Sequence, residues 1–177
     1  MTDDGAPSDA AFDGGWLGRF IAFVGKTVAW LTLLMVLLTF VIVVLRYGFN
    51  LGWIWLQESV TYLHAMVFML AAAWALQTDD HVRVDIYYRD HSPRQKAIVD
   101  LLGTLILLVP VCIFLLLISW SYVAVSWMGQ EGSREAGGLA FVYLQKSLIL
   151  LLPCLLLLQA VLTVRCSIHM LRRKSIP

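Results

Sequence analysis

The chain has 177 residues, of which 60% are hydrophobic and 14% charged, and its mean hydropathy is +0.79. Such a composition excludes an ordinary soluble domain and places the chain in a membrane. The net charge of +1 conceals short charged segments between long uncharged runs, a distribution unlike any nucleic-acid footprint, and no nucleic-acid partner is expected.

In chain order, residues 1 to 15 are rich in Asp, Gly, Ala and Ser. They offer too little apolar surface to offset the entropy of ordering, so residues 1–18 are expected to form a flexible tail and residues 19–174 a membrane domain. Asp3, Asp4, Asp9 and Asp13 precede the first basic residue, Arg19. That polarity is wrong for a signal peptide, so the first apolar segment should be retained. Thr27 to Leu45 gives nineteen residues without a charge, close to the roughly 20 that cross a hydrocarbon core of about 30 Å.

A second run, about 55–76, begins with Trp53 and Trp55 nearby as interfacial aromatics and ends at Gln77, Asp79 and Asp80. Residues 77 to 96 form a charged connector. Within it, Asp79–Tyr88 alternates Val82, Val84 and Ile86 with charges and adds Tyr87 and Tyr88, a pattern suited to a short segment lying in the membrane interface. Ser92 can then cap a helix whose first position is Pro93, where a missing N–H costs nothing.

That third helix, with its span at 97–127, would run about 35 residues and about 52 Å, longer than the hydrocarbon requires. Gln130 to Gly138 interrupts the pattern, and a fourth span at 139–164 is broken only by Lys146. All four must be helices, because lipid offers no partner to an open backbone. The expected fold is therefore all-α, with four transmembrane helices and an interfacial segment between the second and third. Pro110 and Pro153, inside the third and fourth spans, should each perturb a helix locally.

Lys and Arg divide unevenly between the two sides. Arg19, Lys26, Arg83, Arg89, Arg94, Lys96, Arg165, Arg172, Arg173 and Lys174 share one, and Arg46, Arg134 and Lys146 the other. Both termini are thus expected in the cytoplasm.

Few residues are candidates for chemistry. Cys112, Cys154 and Cys166 lack metal-site spacing and read as packing residues. His64 is the deepest ionisable group, with no second histidine in a span to complete a haem pair, so an interhelical hydrogen bond is expected of it. Lys146 can reach the outer interface or a carboxylate such as Glu58 or Glu135. Glu58 at the start of the second span suits either the positive end of a helix dipole or contact with a soluble partner. Ala71, Ala72, Ala73 and Ala75 permit another helix to approach closely. No catalytic, metal or cofactor site emerges, and no enzyme activity is expected.

Three short motifs fall in order on this frame: Arg46-Tyr47-Gly48-Phe49 closing the first span, Trp55-Leu56-Gln57-Glu58 opening the second, and His81-Val82-Arg83-Val84-Asp85 just after it. With them the chain resembles the small membrane subunit, the Q or DctQ-like component, of tripartite ATP-independent periplasmic (TRAP) transporters. Gln57 departs from the acidic pair often seen there, leaving Glu58 as the sole carboxylate. Glu131 to Glu135 with Gly137, Gly138, Leu139, Lys146 and Ser147 is similar to one branch of the family, with keto acids and related organic acids as implied substrates.

The resemblance implies a bacterial inner-membrane complex in which a periplasmic substrate-binding protein delivers an organic anion to a large membrane subunit and sodium drives uptake. The small subunit would scaffold the large one without carrying substrate. Arg46, Glu58, Arg134 and Glu135 would then contribute to the periplasmic face that meets the binding protein. The competing reading is a membrane anchor of a quinone- or haem-linked redox complex. A channel would need a polar stripe along a span, and the runs show none.

Overall fold

A computed structural model of the protein describes residues 15–78 and 92–172. Its helices are α1 (Gly15–Gly48), α2 (Ile54–Gln77), α3 (Pro93–Met128) and α4 (Val142–Arg172), each long and apolar enough to cross a membrane. No strand occurs among the described residues. The chain is an all-helical membrane protein with four spans. Val82, Val84, Ile86 and Tyr87, expected to form the interfacial segment, lie outside the described residues.

The helices are longer than the apolar runs. α1 has 34 residues and α3 has 36, or about 51 and 54 Å at 1.5 Å per residue, against a hydrocarbon thickness of about 30 Å. The extension of α1 back to Gly15 has a packing cause. Gly18, Ile21, Gly25 and Val28 recur at three- and four-residue spacing and are buried, so the segment carrying Arg19 and Lys26 is the continuation of an interhelical seam.

That seam meets α2. Gln77 Nε2 donates to the Gly18 carbonyl at 3.2 Å, and Trp74 lies on the backbone at Gly25, where a Cβ would come within 2.3 Å of its Cγ. Ile21, Ala73 and Leu155 form the buried centre, packed round by Val24, Leu70, Trp74, Leu156, Leu158 and Leu162. α2 packs on α1 and α4, and α4 packs on α2 and α3. The order across the bundle is therefore α1, α2, α4, α3, with the two longest helices on the flanks.

The start of α3 is a capping box. Ser92 Oγ accepts from the Gln95 amide at 3.4 Å, Gln95 Oε1 accepts from the Ser92 amide at 2.9 Å, and Pro93 occupies the first turn. Further along, Thr104–Leu108 is a π-helical turn, closed by the Val109 N–H on the Thr104 carbonyl. It immediately precedes Pro110. The widened turn accommodates a residue that has no N–H to donate and whose ring would crowd the carbonyl four residues back. Pro153 is among the most fully buried side chains of α4.

Candidate functional site

Both interhelical loops, 49–53 and 129–141, lie at the same end of the bundle, because α1 pairs with α2 and α3 with α4. Several side-chain bonds between different elements gather there. Glu58, five residues into α2, lies past the first turn, which contains no acid. Its carboxylate does not serve the helix N-terminus. Ser133 Oγ donates to Glu58 Oε1, and the Leu139 N–H donates to Oε2 at 2.6 Å.

Those two bonds tie α2 to the α3–α4 loop. The loop adds its own closures: Ser133 N–H to the Leu139 carbonyl at 2.8 Å and Gly138 N–H to the Glu135 carbonyl at 3.0 Å, and the Glu135 N–H to Ser133 Oγ at 3.1 Å. Gly137 turns at φ +82°, a left-handed conformation that glycine adopts without a Cβ penalty. Gly138 is required for space, since a Cβ there would lie 2.6 Å from Ser133 Cβ and 2.8 Å from Glu58 Oε1. Arg134 and Glu135 are left exposed at the tip, and Arg46 is exposed at the end of α1. Of the four residues proposed to share an outward face, three are exposed and Glu58 is directed inward to hold the loop.

A second node stitches α3 to α4. Lys146 Nζ lies 2.5 Å from Glu131 Oε2 and 4.0 Å from the centre of the Tyr122 ring, pairing a cation with both a carboxylate and an aromatic face. Ser126 Oγ donates to the same Glu131 oxygen at 2.8 Å. The acid partner of Lys146 is thus Glu131, in place of Glu58 or Glu135. Nearby, Trp127 Nε1 donates to Ser147 Oγ at 2.8 Å, and the Trp127 and Tyr143 rings meet edge to face at 4.8 Å.

The Lys146 ammonium and the Ser126 hydroxyl hold the Glu131 carboxyl below the usual carboxylate range, against the opposing effect of burial. A folded value below the unfolded one means that this contribution is complete above the ordinary carboxylate range. It is lost as pH falls through the depressed folded value. Thermal stability in detergent should therefore decline on acidification below about pH 4, with a shallower decline in Glu131→Gln. Parallel pH profiles for the two proteins would disprove this role for Glu131.

His64 is on the exposed side of α2 and has no hydrogen-bond or ionic partner among the described residues. The interhelical contact expected of it is not made with described residues of this chain. Among the described residues no cluster of three or more His, Cys, Asp or Glu side chains is placed to hold a metal.

Four membrane-crossing helices, a small shared core and polar stitching between helices at the two ends of the bundle define a helical membrane subunit whose outer surface is made mostly of apolar side chains. A family model, described as Tripartite ATP-independent periplasmic transporters, DctQ component, matches residues 35–173. The chain belongs to the DctQ family of TRAP transporter components. No match was found among curated proteins or among solved structures.

Proposed function

We propose that this chain is the static small subunit of a TRAP importer for an organic acid anion. It widens the scaffold on which the large membrane subunit works and presents its loop end to the periplasmic substrate-binding protein. Family membership supports the assignment. The observation that carries the scaffold role is the disproportion between core and exterior. The buried centre is Ile21, Ala73 and Leu155, whereas α1, α3 and much of α4 expose large apolar side chains along their length. Such faces can be covered by lipid or by neighbouring helices alike, and the small core leaves the unit free to sit against a larger membrane partner.

In this reading the complex sits in the bacterial inner membrane with both termini cytoplasmic. Ten Lys and Arg residues on the side of the termini, against three on the loop side, support that orientation. The binding protein meets the loop end, where Arg46, Arg134 and Glu135 are exposed, and the sodium gradient acts through the large subunit. Purification of the tagged chain in mild detergent should recover the large subunit in fixed ratio. Recovery of haem or dehydrogenase subunits in its place would overturn the reading in favour of a redox anchor.

Charge reversal at Arg46, Arg134 and Glu135 tests the docking role separately. Rim charges act mainly on encounter rates, so binding-protein-dependent uptake should weaken on the order of several-fold at low salt and recover in part at high concentrations of the binding protein. The membrane complex should remain intact. Unchanged uptake in all three reversals would remove these residues from the docking face.

A further inference from the structure

The exposed faces of the four helices are not chemically alike. α1 presents Leu33, Leu34, Leu37, Phe40, Val41 and Val44 with the small hydroxyls of Thr32 and Thr39 between them, that of Thr39 bonded to the Met35 carbonyl of its own helix, and the middle of α3 presents Phe114, Leu117 and Ile118. Lipid satisfies such faces. α2 differs, because Gln57, Thr61 and His64 are exposed together with Phe68. At 100° per residue these four, with Ala71, Ala72 and Ala75, fall within an arc of about 100° on one side of the helix. Ala73 points the opposite way and is 1% exposed in the core.

Depth makes the polarity costly. Glu58 is tied to the loop by Ser133 and the Leu139 amide, so its level marks the loop end of the bundle. His64 lies six residues further along α2, about 9 Å deeper at 1.5 Å per residue. An imidazole there, without a partner among the described residues, faces hydrocarbon that cannot hydrogen-bond it. The alanine half of the same face has another property: it allows a neighbouring backbone to come close, as helix pairs in membranes require.

We infer that the outward face of α2, from Gln57 to Ala75, is where a transmembrane helix of the large subunit docks, with His64 hydrogen-bonded to a polar group on that helix. This rests on the scaffold reading above and specifies which face serves it. Lipid fits neither half of the face, since it supplies no hydrogen-bond partner and gains nothing from the alanines. A polar-bearing helix fits both.

The test is photo-cross-linking in the intact complex, co-expressed with the transporter's large subunit. p-Benzoylphenylalanine replaces Phe68 on the proposed face and, as control, Leu37 on α1. Cross-links to the large subunit from position 68 and none from position 37 are expected. His64→Leu should lower recovery of the large subunit about fivefold or more after detergent extraction, the loss of a hydrogen bond at an interface, with the chain itself inserted normally. Cross-links from position 68 to lipid or to a second copy of this chain, with the large subunit still recovered with the wild-type chain, would overturn the face assignment alone. Failure of the wild-type chain to retain the large subunit would overturn the scaffold reading as well.

Discussion

Gly25→Val is expected to break the seam between α1 and α2. A Cβ at this position would lie 2.3 Å from Trp74 Cγ, 2.4 Å from Cδ2 and 2.5 Å from Cβ. These are the root of the indole and cannot swing aside as the tip of a flexible chain would. Trp74 is also packed against the buried Ile21, Ala73 and Leu155 centre, so moving it opens the core. Overpacking costs about 1–3 kcal/mol in general, and overlap with atoms so close to the backbone belongs at the upper end. Melting in detergent should fall by about 5–10 °C.

All four helices should still insert, because each forms its backbone hydrogen bonds alone and association follows insertion. Gly48→Val, at a glycine with open space around it, serves as the control and should melt near the parent. Trp74→Ala in the Gly25→Val background should recover part of the loss by removing the obstructing ring. A Gly25→Val protein that melts with the parent would show that Trp74 does not bear on α1 in this way.

The seam also shows why the apolar runs understated the helices. Arg19 and Lys26 end the charge-free stretch at Thr27, yet Gly18, Ile21, Gly25 and Val28 continue the same helical spacing. Periodicity carries that information and mean hydropathy does not. At the other end, α4 continues past Arg165 to Arg172 with Ser167 buried. Ser92 and Pro93 were legible as a helix start, and Gln95 completes the capping box at the three-residue spacing that such a box requires. The π-helical turn before Pro110 was not legible, because a proline states a problem for a helix and leaves several local solutions open.

The site was legible as a set of charged residues and not as a set of partners. Glu58 meets Ser133 and Leu139 across 75 and 81 residues of sequence, a pairing that depends on α2 and the α3–α4 loop arriving at the same end of the bundle. Lys146 had several acids within plausible reach, and the choice of Glu131 follows from the fold of the loop, which sets Ser126 and Tyr122 beside it. His64 was visible as an anomaly at membrane depth, but its exposure could not be read from spacing alone. The faces of α2 are distinguished by which neighbours cover them, and the covering helices lie far away in sequence.

Glu58 carries the second large effect, on the loop rather than on the helices. Its two oxygens accept from two different donors, the Ser133 hydroxyl and the Leu139 amide. Glu58→Gln keeps one acceptor and sets an NH2 group against the other donor, whereas Glu58→Ala removes both acceptors. Amide exchange at Leu139 should therefore quicken on the order of tenfold or more in Glu58→Ala, and less in Glu58→Gln. Arg134 is exposed at the tip of this loop, so trypsin offers a direct measure: cleavage after Arg134 should be slowest in the wild type, faster in Glu58→Gln and fastest in Glu58→Ala. Gly138→Ala should act in the same direction without touching the carboxylate, because its Cβ would lie 2.4 Å from Ser133 Oγ and push the hydroxyl off Glu58. Equal cleavage rates across the series would show that the loop keeps its shape without these bonds, and the docking role proposed above for Arg134 and Glu135 would lose its structural basis.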